Sequence, residues 1–375
     1  MTTRRSLLAL PLSLSLAPAL APRARDRSRG RDPQRFSIRL APMPGIGHLV
    51  PDLALGLGYF REARIDVEII NVMNYVDDDF YSTKLLNDGT IDAEICWFHR
   101  VIFGIGNDEP ARAVFLIEDS PHLTVLVANR VRDQIHGAAD FKGRTIADSA
   151  GFSTRHYLTD FILARAGLSP DSYTAAPAEW SAKPEPLIAA LAAGKVDIVS
   201  SMEPMTSRLL ATKLVTPLYR LESAAGTRQA LGNIWPSRCL YLSPRYIEAH
   251  PDRVQRVVDV FARTMGFINS HTAGEIIAGM PAGYFSPDVD NDSWADYKQA
   301  KTAEIATVQP SLAHGDYSIP PSAAKLVFDV ILRTPFDDSP EGKYRRTAAE
   351  SGKVRPQMTY DNRFAEKAMR GARRS

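Results

Sequence analysis

Apolar and polar residues alternate over residues 36–43, with Phe36, Ile38 and Leu40 against Ser37 and Arg39, and this period of two predicts a first strand. The chain then turns through Pro44, Gly45, Ile46, Gly47 and His48. Residues 50–60 predict a helix with Pro51 at an early helical position, and 66–73 a second strand. Asp77, Asp78 and Asp79 predict the start of the next helix, where carboxylates favour the positive end of the dipole, and Gly89 its end. Apolar runs at 93–98 and 112–117 predict the third and fourth strands, and the run 123–128 a crossing toward a second half. There the order repeats. Residues 144–147 favour a strand, followed by a small-residue turn and an amphipathic helix with Tyr157, Leu158, Phe161 and Ile162 on one face. Gly167 and Pro170 end that helix, and Gly194 ends another before a strand at 196–200 and a new helix near Pro204. A return crossing is expected at 235–242. Residues 244–270 read as largely helical, with Val254, Val257, Val258, Phe261 and Met265 on one face. Residues 280–322, rich in Pro, Gly and Asp, are expected to wrap the surface, and 322–332 and 361–370 to be late helices.

One pattern occurs twice. Leu86 to Ala93 and Leu191 to Ile198 share the form helix, Gly, polar, β-branched, Asp, apolar strand, with Gly89 and Gly194 as caps and Asp92 and Asp197 ahead of the strand. The echo points to two similar α/β halves. A strand, a small-residue turn at Ser149 and Gly151, and a helix start at Ser153 and Thr154 also aim unpaired backbone N–H groups and a helix dipole at one point, where an anion can sit. The plainer reading is that Ser153 or Thr154 caps its helix and nothing more.

The blocks in and around this stretch carry a family resemblance. Residues 140–147 (DFKGRTIA), 164–171 (ARAGLSPD), 192–199 (AAGKVDIV) and 202–205 (MEPM) resemble the second lobe of ABC-transporter substrate-binding proteins. The branch is that of nitrate, sulfonate, taurine and thiamine-precursor binding, the NMT1-like group. Residues 56–69 and 243–254 extend the resemblance, which covers roughly two-thirds of the chain as ordered blocks. It implies an α/β, two-lobed periplasmic-binding-protein fold of type II, each lobe a mostly parallel sheet flanked by helices, joined by two crossover segments. The expected division is 36–128 for the first part of lobe 1, 129–236 for lobe 2, and 237–375 for the return to lobe 1 and a C-terminal helical segment. The family's sheet order further implies that the strand holding Cys239 inserts antiparallel beside the strand holding Cys96, which brings the two cysteines together. Whether they bond stays open, since a one-residue slip turns one thiol to the other face.

Charge changes the picture only at the N-terminus. The whole chain of 375 residues has a formal net charge of +2, yet residues 1–35 hold eight arginines against two aspartates, so the remainder is mildly acidic. Nothing in that balance points to nucleic acid. A basic n-region with Arg4 and Arg5, an apolar run from Leu7, and Ala17-Pro18-Ala19 form an export signal over 1–24, of general or twin-arginine type, with 25–35 as a disordered lead-in. A periplasmic location follows as an expectation. Two cysteines, no CxxC and no HExxH leave no expected metal or cofactor.

In open α/β sheets the crevice lies outside the carboxyl ends of the strands, and in a two-lobed protein two such edges face each other. That rule selects ligand-binding candidates. From the first half come Pro44, Gly45 and His48, then Trp97, Phe98 and His99, then Ser120 and His122. From the second half come Ser149, Gly151, Ser153, Thr154 and Arg155, with Trp180 and Glu203, and Trp235 joins them near the return. Trp97, Trp180 and Trp235 offer planar faces to a ring-bearing solute, Arg155 a charge beside the N–H cradle, and Glu203 an acceptor for an ammonium or amide. No nucleophile, base and orienter set is visible, and no GxSxG elbow. The expectation is a non-enzymatic, monomeric binding protein that hands a small organic solute (a sulfonate, nitrate, taurine, an aromatic acid or a pyrimidine) to permease and ATPase subunits. Two others remain: an enzyme on the same fold, resembling the fungal-type pyrimidine synthases, and an exported ligand sensor. The synthases carry a dense Cys run where this chain has Cys96 alone before His99.

Overall fold

The computed structural model describes residues 34–375 other than 44, 75–81, 149–153, 178, 181–182, 204, 282–293, 334–339 and 373–375. The export signal and most of the lead-in, Pro44, the Asp77–Asp79 helix start, and Ser149, Gly151 and Ser153 lie outside the described residues.

Among the described residues ten strands form two five-stranded sheets. The first contains β1 (Phe36–Pro42), β2 (Ile65–Ile69), β3 (Ala93–Trp97), β4 (Arg112–Leu116) and β10 (Arg238–Leu242), in the order β2-β1-β3-β10-β4. The second contains β5 (Leu123–Ala128), β6 (Thr145–Ala147), β7 (Thr174–Ala175), β8 (Ile198–Ser201) and β9 (Val215–Leu221), in the order β7-β6-β8-β5-β9. In each sheet four strands run one way and the fourth in order runs against both neighbours. That reversed strand is the one the chain contributes as it arrives from the other sheet: β10 in the first, β5 in the second. The run 123–128, expected as a crossing that closes the first part at 128, is therefore a fully buried member of the second sheet. The link between sheets is the shorter segment 117–122.

The two halves repeat in detail. Gly89 and Gly194 both adopt left-handed backbone, at φ 82° and 70°, and release the chain into β3 and β8. Asp92 accepts from the Arg39 backbone N–H of β1 at 2.8 Å, and Asp197 accepts from the Thr145 backbone N–H of β6 at 2.9 Å. Each carboxylate also meets an arginine, Arg39 at 2.7 Å and Arg130 at 2.8 Å. The echoed aspartate thus ties the central strand of each sheet, β3 or β8, to its parallel neighbour, β1 or β6.

Helices cover both sheets, and the long one (Pro251–Ser270) buries Val254, Val257, Val258, Phe261 and Met265 as the spacing predicts. Four expectations shift. The helix expected over 50–60 is two pieces, Leu49–Gly56 and Tyr59–Glu62, broken at Gly58 with φ 76°. The second strand stops at Ile69, before a short 3-10 turn at Val72–Asn74. Strand β9 and the helices Ala224–Leu231 and Pro340–Glu350 have no counterpart in the pattern reading. Residues 280–322 do not simply wrap the surface: Trp294–Val308 is a helix, and Ser311, Leu312 and Ala313 are buried against the inter-sheet links.

Cys96 and Cys239 are register partners across the antiparallel β3–β10 pair, as the implied sheet order requires. Both are buried and neither is in a disulfide, and the Cys96 sulfur lies 3.7 Å from that of Met43.

Candidate functional site

Three segments meet between the sheets. The outgoing link pairs with the return link, through Ser237 N–H to Glu118 O at 2.9 Å and Trp235 N–H to Asp119 O at 3.0 Å. The segment after the Trp294–Val308 helix pairs with the same link from the other side, through Asp119 N–H to Ser311 O at 3.0 Å and Ala313 N–H to Ile117 O at 2.9 Å. These links satisfy buried backbone groups that belong to neither sheet. Above them lies a cavity of about 530 Å³. Trp97 at the end of β3, Glu118 and His122 on the outgoing link, and Arg238 at the start of β10 form one wall, and Ile46 lies beside them. Met202, Glu203 and Ser207, just past the end of β8, form the opposite wall. The Trp294–Val308 helix closes a third side with Ala300, Ala303, Glu304, Thr307 and Val308, a stripe at helical spacing on which the two alanines leave room.

The polar groups of this cavity are mostly spoken for. Arg238 and Glu118 form a buried ion pair, with side chains 5% and 1% exposed, and the Arg238 guanidinium also sits 4.5 Å from the centre of the Trp97 ring. The Arg238 Nε–H has no hydrogen-bond partner among the described residues. His122 holds left-handed backbone at φ 57° and bonds the Ser311 hydroxyl through Nε2. Burial lowers its pKa below the ordinary value, so its imidazole is neutral at pH 7. Glu304 pairs with Lys301 at 2.8 Å. Glu203 accepts from the Ser207 N–H at 3.2 Å and the Ser207 hydroxyl at 2.9 Å.

Of the residues selected from the sequence, Trp97, His122 and Glu203 line this cavity. Phe98 and His99, the next two along, are buried in the core instead; His99 packs 5.3 Å from Phe103, and burial pushes its pKa well below the ordinary value. Ser120 and Trp235 are buried within the links, 0% and 1% exposed. Gly45 opens the short 3-10 turn that ends at His48, whose Nδ1 lies 3.3 Å from Asp52 rather than on the cavity. Thr154 and Arg155 begin the Thr154–Arg165 helix, away from the described lining; burial lowers the Arg155 pKa from its ordinary value, against the pull of Asp148. Trp180 packs under Lys195 at 5.9 Å. Glu118, Ser207 and the whole Trp294–Val308 stripe were not among the selected residues. Glu118 lies one residue past the fourth predicted strand, and the spacing 300, 303, 304, 307, 308 is a helical signal hidden inside a Pro- and Gly-rich stretch.

Among the described residues no group of three His, Cys, Asp or Glu is placed to hold a metal ion, and no helix is long and apolar enough to cross a membrane.

Solved structures share this architecture. A putative sulfonate ABC transporter periplasmic sulfonate-binding protein SsuA from Methylobacillus flagellatus superposes with a TM-score of 0.62 at 12% identity, over 91% of this chain and 96% of that one. The periplasmic aliphatic sulphonate binding protein SsuA from Escherichia coli gives 0.52 at 18%, over 80% and 85%. The desulfurization enzyme DSZB gives 0.53 at 15%, over 90% and 100%. At these identities the likeness is one of fold, the two-lobed α/β architecture of periplasmic binding proteins. No curated protein matches the chain in sequence. The family model described as NMT1/THI5 like matches residues 48–273, more than half of the chain, through both sheets and both links. The chain therefore belongs to the NMT1/THI5-like family.

Proposed function

We propose that this protein is the extracytoplasmic solute-binding component of an ABC importer, capturing a small organic solute between its two lobes. The carrying observation is the cavity of about 530 Å³ between the two sheets, where the ends of β3 and β8 face each other across paired links. The sulfonate-binding proteins among its structural neighbours support a transport role, with permease and ATPase subunits as partners. The N-terminal sequence supports export to the periplasm, with removal of residues up to a point between about 20 and 36.

The enzyme on the same fold is a second reading, favoured by the likeness to the desulfurization enzyme. Against it, the described lining of the cavity contains neither cysteine, since both thiols are buried within the first sheet. A sensory role would use the same cavity and differ only in the partner.

A thermal-shift screen of the exported protein tests the binding role. Saturation at a hundredfold excess over Kd stabilises by about 3 kcal/mol. Ala303→Trp, which fills the cavity from the helix side, is expected to abolish the shift while leaving the ligand-free Tm within a few degrees. A ligand-induced shift that survives this substitution would sink the cavity as the site.

A further inference from the structure

The charge balance of the cavity narrows the class of solute, on the reading that the cavity is the solute site. Its described lining holds one arginine and three glutamates. Arg238 is spent on Glu118, and Glu304 is neutralised by Lys301. His122 is neutral for the reason given above. Glu203 differs: its two described partners are the N–H and hydroxyl of Ser207, neutral donors that fix the carboxylate in place and leave its charge uncompensated. Around it the walls are apolar, with Ile46, Met202, Ala303 and Val308.

We propose that the cavity takes a solute bearing a protonated amine on a flat apolar body, with the amine against Glu203, rather than a sulfonate or carboxylate. The apolar body would lie between Met202, Ile46 and the Trp294–Val308 helix. Glu203 is exposed to the open cavity, so an anion bound here would lose its water on lobe closure beside a carboxylate with no cationic partner among the described residues, while the arginine of the described lining is already paired. An ammonium would neutralise Glu203 as the lobes close and water leaves.

Calorimetric titration of the exported protein with benzylamine, benzyl alcohol and benzenesulfonate tests the charge preference at constant ring size. Benzylamine is expected to bind at least fivefold tighter than benzyl alcohol, and benzenesulfonate weakest. Glu203→Gln is expected to remove the benzylamine advantage over benzyl alcohol. Benzenesulfonate binding as tightly as benzylamine, no benzylamine binding, or an advantage that survives Glu203→Gln each overturns the proposal. The solute-binding reading fails separately: Ala303→Trp leaving the affinity of every bound probe unchanged would place binding outside the cavity, whatever the charge preference.

Discussion

Asp119 sits on the outgoing link with one carboxylate oxygen lacking a partner among the described residues. Burial raises its pKa to about 7 against the attraction of Arg228. Between the ordinary carboxylate value and 7 the folded protein therefore holds a proton that the unfolded chain has released. Stability falls as pH rises through that window, because the folded state binds more protons there. Asp119→Asn is expected to flatten this slope and raise the Tm at pH 8 relative to the parent; an unchanged slope between pH 5 and 7.5 would count against it. The Arg238–Glu118 pair beside it is wholly buried, so removing one partner strands the other. Arg238→Met should cost about 3–5 kcal/mol in urea unfolding, with most of it restored when Glu118→Leu is added. A single-variant cost below about 1 kcal/mol would show that the pair is solvated. At this scale the sequence was readable to within one position. Trp97, the last residue of β3, lines the cavity, whereas Phe98 has already turned into helical backbone at the start of the next helix and fills the core.

Among the elements, the β3–β10 pairing bears directly on the cysteines. They face each other in register without a disulfide between them, and burial raises the Cys239 pKa well above the thiol's ordinary value. Suppressing the thiolate slows oxidation and exchange. Denatured, unreduced protein is expected to titrate two thiols per chain and the native protein none; zero thiols in the denatured sample would mean a bridge forms. The helix Trp294–Val308 carries the opposite lesson. Its cavity stripe of Ala, Thr, Val and Glu lacks the large apolar residues that announce a core-facing helix, since this face borders a cleft instead of a core. Gly and Pro on either side completed the disguise. Strand β9, by contrast, holds Pro217 and has a mixed burial pattern, as a sheet edge allows.

For the whole molecule, two links between two sheets permit rotation of one lobe against the other, and the cavity lies where closure would shrink it. Small-angle scattering is expected to show a smaller radius of gyration once a confirmed ligand is added, and no change would count against closure. Much of the architecture was written locally: strand and helix periods, left-handed glycines at 89 and 194, and an aspartate in each half that ties its central strand to a parallel neighbour. Those signals act over a few residues, so any window of the chain displays them. The membership of residues 123–128 in the second sheet, the meeting of Glu118 with Arg238 across 120 positions, and the third wall of the cavity were decided by tertiary structure alone. Such pairings depend on which strand inserts beside which and in what register, a choice made by the burial of whole faces. Backbone preference at single residues does not encode it.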